Sequence, residues 1–168
     1  KTNIKNEIVN VGPTPVKALG VTDQHSQVQL YIEGPYDKII TFLSVEKYRA
    51  NVVIPKTPEK HYLEKHTLNE LIKSEEEATR VALTKQSRPN CTITLPEVSE
   101  HTIGQLFYML ELATAYIGEV FEINAFDQPG VELGKVLTYG LMGRTGFEKE
   151  KKEIEEFLAK KKETQYAV

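Results

Sequence analysis

Gln128 and Lys135 lie in the run Phe126-Asp127-Gln128-Pro129-Gly130-Val131-Glu132-Leu133-Gly134-Lys135, which reads as a loop turning into a helix with a polar face. Pro129 suits the first helical position, where its missing N–H is no loss. Gln128 and Lys135 are seven residues apart, about two helical turns, so they project from nearly the same side. Gly130 and Gly134 are spaced by four and strip one face of side chains, which lets something approach the backbone closely. Two glycines inside one helix cost roughly 1 kcal/mol each relative to alanine, so a packing or functional gain must offset them. A lysine beside a bare face suits an anionic or polyhydroxylated ligand. The same spacing also serves plain helix–helix packing, with the lysine in solvent.

His25 is the second candidate. Thr22 is placed to cap a helix running to about Glu33, ended by Gly34-Pro35, and His25 falls in its first turn. A neutral imidazole there can both accept and donate a proton; a capping or core histidine is the alternative. His61 and His66 sit in a polar loop without the cysteine or carboxylate pattern of a zinc site. His101, in the first turn of another helix, reads as a surface or cap residue, and no metal site is expected. Cys91 is the single cysteine; it cannot form an internal disulfide, suits a reducing compartment and is expected as a small core residue. No dinucleotide fingerprint or P-loop is present, and no cofactor is expected.

The elements that must position these residues follow from periodicity and punctuation. Residues 1–20 hold Gly12, Pro13, Pro15 and Gly20 and read as a lead-in segment. Val28, Tyr31 and Ile32 form an apolar stripe on the His25 helix. Lys38 to Val45 is β-branched and nearly continuous in apolar character, as in a buried strand. Asn51 to Pro55 either extends it or forms a short edge, and 56–66 is a polar loop. Thr67-Leu68-Asn69-Glu70 is a capping-box pattern opening a helix to about Gln86. Cys91 to Leu95 alternates as a second strand. Ser99 caps a long apolar helix from Glu100 to Phe121, with Leu106, Phe107, Leu110, Ala113 and Ile117 on its expected buried side.

The polar-faced helix then runs from Pro129 to about Met142. A last helix, Glu148 to Lys162, carries a narrow stripe of Ile154, Phe157 and Leu158 and many i,i+4 Glu–Lys pairs. The Lys160-Lys161-Lys162 cluster complements the dipole at its end and reads as a solvated face. Strands separated by helices give an α/β fold, a parallel sheet flanked by helices with long C-terminal helices. The expected division is a lead-in over 1–20, one domain over 21–146, and an amphipathic helix and tail over 147–168.

The 168 residues are 40% hydrophobic and 27% charged with net charge −3, a composition that gives no reason to expect nucleic-acid binding. No apolar run is long enough to span a membrane, and the opening Lys1-Thr2-Asn3-Ile4-Lys5-Asn6 leads into no signal-like segment.

The run from Gly118-Glu119-Val120-Phe121-Glu122-Ile123-Asn124-Ala125 through Lys135 resembles the C-terminal signature of the glucose-6-phosphate isomerase family. A second block, Gly12-Pro13-Thr14-Pro15-Val16-Lys17-Ala18-Leu19-Gly20-Val21-Thr22-Asp23-Gln24-His25-Ser26-Gln27, resembles that family's catalytic-histidine segment in its shorter bacterial form. Order and separation fit as well, and the similarity runs from Val11 to Arg144. The resemblance implies a sugar-isomerase (SIS) domain that is an incomplete, C-terminal part of a longer two-domain enzyme.

It further implies reversible isomerisation of glucose 6-phosphate to fructose 6-phosphate, by ring opening and a cis-enediol, in cytoplasmic glycolysis and gluconeogenesis. In that scheme His25 opens the ring and enters the pocket of the neighbouring subunit of a homodimer. Lys135 assists ring opening and stabilises oxygen charge near C1, while Gln128 binds a substrate hydroxyl or the phosphate. The family's carboxylate base, its phosphate loop and an arginine match nothing in this chain, and Glu7 falls in unmatched sequence. The expected partners are therefore a sugar-phosphate substrate and the N-terminal half of the same enzyme, and the chain alone is expected to be inactive. A non-catalytic sugar-phosphate-binding regulatory module is the alternative.

Overall fold

A computed structural model describes residues 2–56, 58 and 61–163, the last three by backbone alone. A π-helical segment, Gln24–Val28, continues into α1, Gln29–Glu33. Then follow β1 (Ile40–Lys47), α2 (Leu68–Lys85), β2 (Asn90–Glu97), α3 (Glu100–Val120), α4 (Pro129–Leu141) and α5 (Glu148–Glu163). The chain gathers into two compact units, one from Gly12–Thr114 and one from Lys1–Val11 with Ala115–Val168.

In the first of these, β1 and β2 pair in parallel from Ile40↔Asn90 to Lys47↔Glu97, joined by α2 as the crossover such pairing needs. Helix α2 begins with the expected capping box: Thr67 Oγ1 accepts from Glu70 N at 3.1 Å, and Glu70 Oε2 accepts from Thr67 N at 2.7 Å. It ends where Ser87 turns to a positive φ of 55° and Arg88 N donates back to Leu83 O at 2.8 Å. Pro89 follows and prevents continuation. Leu83, only 1% exposed, is the apolar centre of this unit.

Helix α3 is capped by Ser99, whose Oγ accepts from Thr102 N at 3.3 Å. Thr102, itself buried, donates its hydroxyl to Glu97 O at 2.6 Å and so ties the start of α3 to the end of β2. In the second unit, α4 packs against α5 at Gly140, where a Cβ would lie 2.7 Å from Lys151 N. Tyr139 and Phe147 meet edge to face at 5.3 Å between centroids, with the Arg144 guanidinium 4.5 Å over the tyrosine ring.

Several expectations about burial and boundaries are corrected. Thr22 does not cap a helix. Asp23 occupies the cap position without a capping bond, because its Oδ2 accepts from Leu19 N at 2.7 Å instead. Asn51 to Pro55 forms no strand, only an isolated bridge between Val53 and Thr67. Cys91 is exposed, its Sγ 3.3 Å from Thr41 Oγ1, and β1 has no fully buried residue. A two-stranded sheet has little on its faces to cover them, whereas parallel strands of this composition are ordinarily enclosed on both.

On α3, Leu106 is buried but Phe107 is 60% exposed, and Leu110 and Ile117 are exposed too. On α5, Phe157 and Leu158 are exposed, though the i,i+4 pairs Lys151–Glu155 and Lys152–Glu156 form at 4.0 and 3.8 Å. The side chains of Lys161 and Lys162, residues 57, 59 and 60 of the expected loop, and the tail from 164 onward lie outside the described residues.

Candidate functional site

His25 belongs to the 12–114 unit; Gln128 and Lys135 belong to the other. His25 is the second residue of the π-helical segment, whose wider turn is a feature often found at functional sites. It is exposed, and no hydrogen bond to its ring occurs among the described residues. Its neighbours hold the turn. Ser26 Oγ donates to Asp23 O at 3.1 Å, and Gln24 Nε2 donates to Thr79 Oγ1 on α2 at 2.7 Å. Tyr31 OH bonds Gln27 Oε1 one turn further on. At the far end, the Arg88 guanidinium donates to the carbonyls of Ile32 and Gly34, closing α1.

Beside this segment lies a largely apolar cleft of about 580 Å³ between residues 16–24, β1 and α2. Leu19, Val28, Phe42 and Ile72 give its apolar walls, and Asp23, Glu76, Thr79 and Tyr48 its polar groups. Partial burial, and next the Glu76 carboxylate, push the Tyr48 phenol above its ordinary pKa. Glu76 in turn accepts from Ser44 Oγ at 2.9 Å. His25 does not line this cleft.

Gln128 is the N-cap residue of α4 and exposed; its carbonyl accepts from Val131 N at 3.0 Å, and its side chain makes no capping bond. Pro129 opens the helix as its type predicts. Lys135, two turns on, donates to Glu132 Oε1 at 2.6 Å, with the two side chains 54% and 61% exposed. An exposed i,i+3 pair of this kind contributes little to stability and releases its lysine readily to a competing anion. A Cβ on Gly130 or Gly134 would meet nothing within 4 Å, so this face of α4 is open rather than packed against another helix among the described residues. Gly134 lies about 100° and Gly130 about 140° round the helix axis from Lys135, so the bare backbone and the lysine present different sides of α4.

His66 and His61 are differently engaged. His66 Nδ1 lies 3.4 Å from Glu70 Oε2, and the His61 ring stacks at a tilt on Tyr62 with centroids 4.5 Å apart. Among the described residues no group of three or more His, Cys, Asp or Glu is arranged to hold a metal ion, and no helix is long and apolar enough to cross a membrane. Sequence reasoning missed the partner of one candidate residue, Lys135, and the partner of Gln24, the chain neighbour of another. Glu132 stands at the i,i+3 spacing that already implies its pairing with Lys135. The Gln24–Thr79 bond joins residues 55 positions apart and leaves no local signal.

Comparison with known proteins identifies the family. The phosphoglucose isomerase family model matches residues 50–156. A glucose-6-phosphate isomerase of Carboxydothermus hydrogenoformans is 55% identical, over 99% of this chain and 36% of that protein. One of Rubrobacter xylanophilus is 48% identical, over 81% of this chain and 32% of that protein. The crystal structure of a hypothetical protein from Thermus thermophilus superposes with a TM-score of 0.79 at 44% identity, covering 85% of this chain and 35% of that one. The chain thus spans about a third of the length of the curated relatives it matches. It belongs to the phosphoglucose isomerase family.

Proposed function

We propose that the chain is the C-terminal, sugar-isomerase part of a glucose-6-phosphate isomerase, interconverting glucose 6-phosphate and fructose 6-phosphate when joined to the remainder of the enzyme. The observation that carries this reading is the 55% identity extending over 99% of the chain, a span that takes in His25, Gln128 and Lys135 together. In the proposed reaction His25 moves a proton between the ring oxygen and the C1 hydroxyl, which breaks the C1–O5 bond and leaves an open-chain aldose. A base outside this chain then takes the C2 proton and returns it to C1 through a cis-enediol. Lys135 stabilises the negative charge that develops on the C1 oxygen, and Gln128 binds a hydroxyl or the phosphate. His25 acts in the pocket of the partner subunit, so a homodimer is the working unit. No cofactor takes part.

Lacking the base, the chain alone is inactive; loss of such a group costs about 10²–10⁴-fold or more. The exposed apolar residues of β1, α3 and α5 are the surfaces that the rest of the enzyme would cover. A coupled assay on the full-length parent, run beside the isolated chain, tests the reading. The parent should equilibrate the two sugar phosphates while the chain alone does not. A parent that binds glucose 6-phosphate without turning it over would overturn the isomerase reading in favour of a regulatory module.

A further inference from the structure

We infer that Gln24 and Thr79 form a positioning pair that sets the orientation of His25, an inference that rests on the proposed role of that histidine. The bond is directional and already committed. Thr79 Oγ1 donates its proton to Glu75 O on its own helix at 2.7 Å, so it presents a lone pair outward. Gln24 Nε2 fills that lone pair at 2.7 Å, in a part-buried setting. Gln24 therefore faces α2, and its chain neighbour His25 is turned away from it into the open.

The turn needs such an anchor. The cleft of about 580 Å³ separates much of this segment from β1 and α2, so apolar packing gives it little support. Arg88 secures only the far end, at the Ile32 and Gly34 carbonyls. A side-chain tip stands about 5–6 Å from its helix axis. Rotation of the turn by about 10° would therefore carry the imidazole about 1 Å, a misplacement that can cost about 10²-fold in rate. Substrate binding elsewhere would be unaffected, so the loss should fall on kcat and leave KM nearly unchanged.

The test is a mutant cycle in the full-length parent enzyme. Thr79→Val should lower kcat by about 10- to 100-fold with KM within about twofold, and Thr79→Ser, which keeps the acceptor, should recover most of it. Gln24→Met, removing the donor from the other side, should reproduce the Thr79→Val loss if the valine variant folds poorly. In a His25→Ala background neither substitution should lower kcat further, because a residue acting through His25 has nothing left to position. Thr79→Val and Gln24→Met both retaining wild-type kcat, or both lowering it equally with and without His25, would overturn the inference. A wild-type kcat in His25→Ala itself would instead overturn the catalytic reading of that histidine.

Discussion

Two glycines of α4 predict opposite outcomes for the same substitution. At Gly134 an added Cβ meets nothing within 4 Å, so alanine recovers helix propensity and stabilises by about 0.5–1 kcal/mol. At Gly140 the same Cβ would lie 2.7 Å from Lys151 N and 3.0 Å from both Glu150 Cβ and Phe147 O. Two of those atoms are backbone at the start of α5 and cannot rotate away. Overpacking of this kind costs about 1–3 kcal/mol, which exceeds the propensity gain of about 1 kcal/mol. The two variants should therefore differ by about 2 kcal/mol, or about 4–8 °C in midpoint at this chain length. Thermal unfolding followed by circular dichroism, with hydrogen exchange of the α4 amides, would measure this. Gly140→Ala as stable as wild type would refute the close α4–α5 approach. In the full-length enzyme Gly134→Ala should lower turnover despite its added stability, if substrate uses the bare face.

Thr67→Ala removes the side-chain half of the α2 capping box and should cost about 0.5–2 kcal/mol, read as a lower unfolding midpoint. Glu70 has its pKa held below the ordinary carboxylate value, first by the Thr67 backbone N–H. Its contribution is therefore present above the unfolded-state pKa and is lost as pH falls through the lower folded value; Glu70→Gln should remove that acid-side slope from the stability profile. The Glu148 carboxylate, held down first by the Gly146 N–H, should behave likewise in an NMR titration. Leu83→Ala, at the most buried side chain, should destabilise by about 2–5 kcal/mol in denaturant unfolding.

Features set by contacts a few residues long were legible in the sequence. The Thr67–Glu70 box, the Ser99 cap, Pro129 at the head of α4 and the Gly34 stop all act through bonds spanning one turn, and residue type determines them. Both strands exist, but β1 begins at Ile40 rather than Lys38, β2 begins at Asn90 rather than Cys91, and each extends two residues further at its C-terminal end, where pairing rather than composition sets the limit. Burial was less legible. The apolar pattern of α3 identifies residues that prefer burial, but Phe107, Leu110 and Ile117 can be covered only by elements packed against them, and the described residues leave all three exposed. The π-helical turn at His25 was equally hidden. Asp23 bonds backward to Leu19 and Gln24 reaches Thr79 beside it, and neither contact follows from local propensity. Spacing puts Gln128 and Lys135 on one helix two turns apart; Lys135 lies within α4, but Gln128 is its N-cap with a non-helical φ of −134°, so helix periodicity does not fix the direction of its side chain.

The most direct measurement is a coupled isomerase assay on the full-length parent enzyme, comparing wild type with His25→Ala and Lys135→Ala. Both variants should lose kcat by about 10²-fold or more while the enzyme remains folded. Wild-type turnover in both variants would contradict the proposed chemistry of these two residues.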